Sequence, residues 1–322
     1  MKRFVRCFGV FILLFASLPV NAGASEFLIP VGKVIGLQLQ DDVLTVAAYD
    51  DVLGSCARDA GLKIGDELLE VDAVPVESVT EVRSALARCD SRVALTVRRG
   101  GKIRTLQISP RQTEEGPRLG IYLRQGIAGI GTVTFYDPAT GLFGTLGHGV
   151  SDARGQLLTM KKGLAYTAEV LSVRKGKCGE PGQLKGNADA SAMVGPLLKN
   201  TPQGVFGITH TPWEGQALPT AAYSQIQAGP ASIRSTVQGD AVQEYSVEIL
   251  KIYPPDRTDG RNFLIKVTDP ELLAATGGIV QGMSGSPIIQ DGKLVGAVTH
   301  VLVNDPTRGY GIFIDNMLDA AG

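Results

Sequence analysis

The chain has no excess of charge of either sign, which limits what it can bind. Lysine and arginine number 31 and aspartate and glutamate 32, so the formal net charge is −1 among 322 residues. A nucleic-acid-binding protein needs a basic surface that neutralises phosphates. The composition therefore gives no electrostatic reason to expect a nucleic-acid partner.

Cysteine and histidine are scarce, and neither forms a metal-binding motif. Four cysteines and three histidines occur, without a CxxC or HExxH pattern. Cys7 lies in the N-terminal segment, so an odd number of cysteines remains; Cys56 and Cys89 could pair, but spacing alone does not show it. The histidines are far apart in the sequence: His148, His210 and His300. We predict neither a metal site nor a cofactor.

The first 22 residues have the pattern of an export segment. Lys2, Arg3 and Arg6 precede the apolar run "FGVFILLFASLPV" of 13 residues, and small residues end at Ala22. This apolar run is short for a membrane-spanning helix and typical of a signal peptide. We predict a signal peptide or an N-terminal membrane anchor at residues 1–22, and a protein that works outside the cytoplasm.

Aromatic residues make up only 6% of the chain, whereas glycine is abundant at 40 residues. Many short β-branched runs separated by glycine turns indicate a mainly β protein. The length suggests two domains. We place the first at residues 27–112 and the second at residues 118–322.

The first domain resembles a PDZ domain, chiefly through "AGLKIGDELLEVD" and the helical "SVTEVRSALARC" that follows. In PDZ domains a loop before the second strand binds a peptide's carboxylate through backbone N–H groups, and the peptide adds as a strand beside the long helix. The resemblance places that loop in "PVGKVIGLQL", at Ile35, Gly36 and Leu37. Alternatively, the groove binds nothing and only braces its neighbour.

The second domain contains short strands and glycine turns, which favour an antiparallel β barrel or a pair of barrels. Within it, "GMSGSP" is similar to the "GDSGGP" of chymotrypsin-like serine proteases, and Ser284 takes the place of their nucleophile. The backbone N–H groups of Gly282 and Ser284 would form the oxyanion hole. Ser286 is the alternative nucleophile. His148, in "GTLGHGVSD", is the candidate base.

A longer resemblance covers the chain from about residue 27 to the end. "FYDPATGLFGTLGHGVSD" and "GGIVQGMSGSPIIQDGKLVGAVTHVLVNDPTRGYGIFI", preceded by a PDZ domain, are similar to stage IV sporulation protein B (SpoIVB-type) serine peptidases. The resemblance implies a PDZ domain followed by a trypsin-like (chymotrypsin-type) peptidase domain with a serine, a histidine and an aspartate. By motif these are Ser284, His148 and Asp269.

The acid of this triad has alternatives. Asp269 precedes a proline 15 residues before Ser284, as the resemblance requires. In chymotrypsin the acid lies about 45 residues after the histidine and about 93 before the serine. Asp189, which is 41 residues after His148 and 95 before Ser284, fits that spacing. Asp152 is a third candidate.

The resemblance also implies a biological role. Such proteases are exported into the space between forespore and mother-cell membranes. There they cut themselves near the N-terminus and cut regulators of an intramembrane protease, which triggers processing of a late sigma factor. "FLIPVGKVIG" is a candidate neighbourhood for self-cleavage. The alternatives are a non-catalytic PDZ scaffold of the cell envelope and a PDZ protease of envelope quality control. His300 could line the substrate pocket, but we expect a packed strand histidine.

Overall fold

The structure is a computed structural model that describes residues 27–89, 91–152, 155–257 and 259–322, without the side chain of Asp42. The export segment predicted at residues 1–22 lies outside the described residues. Within the described ranges, no helix has the length and apolar character needed to cross a membrane.

Strands dominate the described part of the chain, and the helices are short. The strands are β1 Phe27–Pro30, β2 Val34–Tyr49, β3 Glu67–Val71, β4 Val74–Pro75, β5 Val93–Arg99, β6 Lys102–Ile108, β7 Arg111–Thr113, β8 Gly116–Arg118, β9 Ile121–Tyr136, β10 Leu142–Thr145, β11 Lys162–Arg174, β12 Gln183–Thr201, β13 Gly204–Ile208, β14 Leu218–Pro219, β15 Gly229–Ser235, β16 Gln243–Ile252, β17 Phe263–Val267, β18 Pro287–Gln290, β19 Lys293–Leu302 and β20 Asp305–Phe313. The helices are α1 Ser55–Asp59, α2 Val79–Leu86, α3 Pro270–Thr276 and α4 Ile314–Ala321, with a 3₁₀ turn at Tyr223–Gln225.

The larger part of the described chain is built from two antiparallel barrels. The first closes in the order β2-β9-β10-β13-β12-β11, because β2 pairs with both β9 and β11. The second closes in the order β15-β16-β17-β20-β19-β18. Fully buried side chains such as Val133 and Phe143 fill the first barrel, whereas Phe263 packs edge-on against Phe313 in the second. The predictions of a mainly β chain and of a pair of barrels are confirmed.

A smaller domain is inserted between two strands of the first barrel. It consists of β3 to β6, helices α1 and α2, and the lower halves of β2 and β9. Leu44, Leu68 and Leu95 are among its buried core residues. The buried carboxylate of Asp66 accepts two hydrogen bonds from Arg99, at 2.6 Å each, and so remains paired inside the domain.

Strands β2 and β9 connect this inserted domain to the barrel without a linker. Their upper halves, Val34–Leu39 and Ile127–Thr132, pair within the barrel, and their lower halves pair within the inserted domain. The register shifts between Leu39 and Leu44, next to Gly126 (φ +79°), where a Cβ would lie 1.9 Å from the Leu39 oxygen. Residues 27–39 therefore belong to the barrel. The predicted boundary at residues 112–118 had assigned them to the first domain.

Cysteines form no disulfide in the described ranges. Cys56 Sγ lies 3.3 Å from the carbonyl oxygens of Leu53 and Leu119, and Cys89 Sγ lies 2.9 Å from Asp72 Oδ2. The two sulfurs therefore have different neighbours and are not bonded to each other.

Candidate active site

The turn that carries Ser284 is fixed to the first barrel. Thr132 of β9 donates its N–H to the Ser284 oxygen (3.0 Å) and its hydroxyl to the Gly282 oxygen (2.8 Å). Thr134 donates its hydroxyl to the Gly285 oxygen at 2.8 Å. Because both threonine side chains are fully buried, these bonds hold the turn rigidly at the junction of the two barrels.

The backbone of this turn leaves two donors unused. The N–H groups of Met283, Gly285 and Ser286 donate to carbonyl oxygens of Val280, Val298 and Met283. Those of Gly282 and Ser284 donate to no oxygen of the residues that the structure describes. Gly282 has φ +100°, a left-handed conformation that glycine adopts at little cost. The two donors expected to form an oxyanion hole are thus available.

The Ser284 hydroxyl donates a hydrogen bond to the Thr299 oxygen of β19 at 2.7 Å. This bond holds the side chain in the wall of the cavity described below. The hydroxyl must leave this acceptor before its proton can pass to a base.

His148 follows β10 through two left-handed residues, Leu146 (φ +69°) and Gly147 (φ +67°). Its Nδ1 lies 2.9 Å from the Gly149 oxygen. A carbonyl only accepts hydrogen bonds, so Nδ1 carries the proton and Nε2 keeps a lone pair. Asn200 of β12 fixes the segment that follows, since its side chain bonds both the N–H and the oxygen of Val150 at 2.9 Å.

Burial lowers the pKa of His148, and the hydrogen bond to Gly149 offsets this only in part. The His148 ring lies 5.1 Å from that of His300, centroid to centroid. Burial, with a smaller effect of His148, lowers the pKa of His300 to about 4. Both rings are therefore neutral near pH 7, the state that a general base requires.

Ser284, His148 and Gly282 line one cavity of about 440 Å³ at the junction of the barrels. The remaining lining residues come from the β2/β9 ribbon, the segment after β10, the nucleophile turn and β19: Leu37, Leu39, Ile127, Gly129, Ile130, Leu146, Gly149, Val150, Ser151, Ile279, Val280, Gln281, Thr299, His300 and Val301. The structure thus brings together the predicted nucleophile, base and oxyanion donors.

Asp269 makes no hydrogen bond to His148 among the described residues, which corrects the predicted role of this residue. It is the N-cap of α3: one carboxylate oxygen accepts the N–H groups of Glu271 and Leu272 at 3.0 Å, and the other accepts that of Ser246 at 3.2 Å. Nor does Asp269 line the cavity. In this structure the carboxylate satisfies a helix terminus instead of orienting an imidazole.

We predict that Asp269→Asn preserves kcat and lowers the free energy of unfolding by at most about 1 kcal/mol. Asparagine keeps the helix cap through its one oxygen, but its amide group cannot accept the Ser246 N–H. Asp269→Ala should lower the free energy of unfolding by about 1 kcal/mol through the lost cap. Urea unfolding measures the change in stability. Peptide hydrolysis, at urea concentrations below the unfolding transition, measures the change in kcat. A loss of about 10⁴ in kcat for Asp269→Asn, the size seen when a triad acid is neutralised, would restore Asp269 as the acid.

The alternative acids also lie elsewhere. Asp189, on β12, accepts both the N–H and the hydroxyl of Ser191 and lines a different cavity. Asp152 accepts the Gln156 N–H at 3.0 Å and also faces another cavity. Ser286 is fully buried and bonds the Ser235 hydroxyl at 3.0 Å, so it is not accessible as a nucleophile.

The predicted peptide-binding loop is wrong. Ile35, Gly36 and Leu37 lie in the middle of β2, paired with β9 on one side and β11 on the other. Because both edges of this backbone are occupied, no peptide carboxylate can reach its N–H groups. The three residues are part of the barrel wall.

A groove of about 290 Å³ lies instead between α2 and the chain that enters β9. It is lined by Val79, Val82 and Leu86 of the helix and by residues 117–123. Gly120 (φ +66°) turns the chain there, and a Cβ would lie 2.3 Å from the Leu53 carbonyl. The sequence signal was "RLGIYL", a glycine between apolar residues just before a strand.

His300 was predicted to be a packed strand histidine, and its position differs from that prediction. The ring lines the cavity, and its Nδ1 is buried without a hydrogen-bond partner among the described residues. The pattern "GAVTHVLV", which is separated from the nucleophile turn by β18, placed it on a strand without fixing which way the ring faces.

Comparisons with known proteins agree with this architecture. Residues 115–318 match the family model of SpoIVB peptidase S55, and residues 34–109 match that of the PDZ domain. A protein of Rhizobium meliloti (strain 1021) named "Putative zinc metalloprotease R01501" is 31% identical over 101 residues, which are 31% of this chain and 26% of that protein. The chain thus spans about a quarter of the length of this curated relative.

Two solved structures are also similar, and both are of the Rv3671c protease. The inactive form shares 14% identity over 61% of this chain and 85% of its own, with a TM-score of 0.35. The active form, from M. tuberculosis, shares 16% identity over 62% of this chain and 75% of its own, with a TM-score of 0.33.

Proposed function

Because the chain belongs to the SpoIVB peptidase S55 family, we propose that it is a serine endopeptidase with Ser284 as nucleophile and His148 as general base. One observation carries this proposal: Ser284, His148 and the two unused N–H groups of the nucleophile turn meet in one cavity between two barrels. A serine hydroxyl attacks a peptide carbonyl only when a neighbouring base takes its proton, and a neutral histidine is suited to that task.

In the proposed first step the Ser284 hydroxyl leaves the Thr299 oxygen and turns toward Nε2 of His148. Oγ attacks the carbonyl carbon of the scissile bond while Nε2 takes the proton. The carbonyl oxygen becomes an oxyanion held by the N–H groups of Gly282 and Ser284. One such donor is typically worth about 10²–10³ in rate.

His148 then gives its proton to the leaving amine, and an acyl-enzyme remains on Ser284. Water repeats the sequence with His148 again as base, which releases the acyl product and restores the serine. The Gly149 carbonyl keeps Nδ1 protonated throughout, so Nε2 always faces the reaction. In this conformation a carbonyl dipole performs the orienting task that a carboxylate performs in a triad.

We further propose that the protein is an exported signalling protease of sporulation, as its family and the pattern of residues 1–22 suggest. It would work between the forespore and mother-cell membranes, where the N-terminus could hold it at a membrane. Its substrates would be itself and the regulators of an intramembrane protease that processes a late sigma factor. The groove beside α2 would bind a C-terminal or internal peptide of such a partner.

Self-cleavage fits best on the N-terminal side of Phe27. Residues 28–30 and 34–36, within the expected "FLIPVGKVIG", are paired in β1 and β2, and Leu28 is fully buried. A protease binds its substrate in an extended, accessible form, which these strands cannot adopt without leaving the barrel.

The cellular role is tested by replacing the chromosomal gene with a Ser284→Ala allele and with a Ser172→Ala allele as control. Ser172 is an exposed serine of β11, far from the nucleophile turn in sequence. We expect the first strain alone to stop before spore maturation with its late sigma factor unprocessed. Normal spores from the Ser284→Ala strain, or a host that forms no endospores, would contradict the sporulation role and leave the endopeptidase proposal standing.

A further inference from the structure

The cavity beside Ser284 is uncharged among the described residues that line it. None of them is an aspartate, glutamate, lysine or arginine. Its two titratable side chains are His148 and His300, and burial keeps both neutral near pH 7. A charged substrate side chain that entered this cavity would lose water and meet no opposite charge on the lining residues. Arg261 and Asp259, which influence the pKa of His300 in opposite directions, lie outside this lining.

Both barrels supply apolar walls to this cavity. Leu37 and Leu39 come from β2, and Ile279 and Val280 come from the segment just before the Ser284 turn. All four side chains are buried. Ile127, Ile130 and Val150 of the first barrel and Val301 of the second are only partly buried and form the accessible apolar surface. Such a surface favours an aliphatic group that removes it from water.

We propose that this cavity selects peptides with a large aliphatic side chain (leucine, isoleucine, valine or methionine) next to the scissile bond, and that Val301 is a specificity-determining residue. The inference rests on the proposed endopeptidase activity and adds its substrate class. A missing methylene in a hydrophobic pocket typically costs about 10–200-fold in kcat/KM. The enzyme should therefore discriminate measurably against an alanine side chain at this position, and more strongly against a charged side chain.

The test uses purified protein and a mixture of peptides with varied sequence, whose cut sites are read by mass spectrometry. Matched peptides that differ only in the residue beside the cut then give kcat/KM. We expect leucine to exceed alanine by at least about 10-fold and lysine or glutamate by at least about 100-fold. Equal or faster cleavage beside lysine or glutamate would overturn the inference while the endopeptidase proposal stands. No cleavage of any peptide, with no reagent bound to Ser284, would overturn the proposed function itself.

The role of Val301 is tested by Val301→Glu, with Leu171→Glu on the exposed face of β11 as the matched control. A carboxylate in the cavity should lower kcat/KM for the leucine peptide at least about 10-fold and raise it for the lysine peptide. Leu171→Glu should leave both unchanged. If Val301→Glu does not fold, Val301→Ala replaces it and should weaken the preference for leucine over alanine. An unchanged profile in a folded Val301 variant would overturn the assignment.

Discussion

Ser284→Ala is expected to lower kcat for peptide hydrolysis by about 10⁶, the size found when the nucleophile of a serine protease is removed. Without Oγ no acyl-enzyme can form, although the cavity and the oxyanion donors remain. The fold should persist, because the hydroxyl makes one partly buried bond, to Thr299. Hydrolysis of a cleavable peptide and urea unfolding of the same preparation measure the two quantities.

Ser286→Ala and Ser172→Ala are the matched controls for this result. Ser286 bonds Ser235 inside the second barrel, so its loss should cost about 1 kcal/mol of unfolding free energy and leave kcat within a few-fold. Ser172→Ala should change neither quantity. Activity lost in Ser286→Ala and kept in Ser284→Ala would assign the nucleophile to the other serine.

Gly285→Ala is expected to lower the free energy of unfolding by at least about 4 kcal/mol, at the upper end for single substitutions. Gly285 has φ +97°, and a Cβ would lie 2.0 Å from the Thr132 oxygen and 2.6 Å from the Leu146 nitrogen. Both atoms are backbone of the first barrel and cannot move aside as a side chain could. Whatever fraction folds should also lose activity, because the same displacement moves Ser284.

Gly292→Ala provides the comparison for this strain. Gly292 has φ +73°, but a Cβ there would meet no atom within 4 Å. The substitution should then lower the free energy of unfolding by about 1–2 kcal/mol, the cost of the left-handed backbone for a residue with a Cβ. Urea unfolding of both variants separates the two contributions. Equal losses at the two glycines would contradict the close fit between the nucleophile turn and β9.

Local signals in the sequence were sufficient for the strands and for the nucleophile turn. Alternating apolar residues and glycine turns predicted antiparallel barrels. This was possible because the period-2 pattern of a strand is visible within a few consecutive residues. The turn around Ser284 was identified from its resemblance to the "GDSGGP" motif, whose residues are adjacent in the sequence. His148 was identified from its own neighbours and the resemblance, and the structure places it in the cavity with Ser284.

The sequence does not show which strands pair when they are far apart in the chain. β2 pairs with β9 and β11, whose residues lie about 70 to 130 positions further along the chain, so nothing near Ile35 shows that its backbone is occupied on both sides. Asp269 illustrates a related ambiguity. An aspartate before proline and glutamate is also a helix-start signal, and the structure uses it as one.

The measurement that tests the central claim most directly is the site of reaction with a serine-directed fluorophosphonate. The purified protein would be treated at neutral pH, digested and sequenced by mass spectrometry, with the Ser284→Ala variant treated in parallel. The account predicts one phosphonate per chain, on Ser284, and none on the variant. A phosphonate on Ser286, or no reaction in a folded protein, would contradict it.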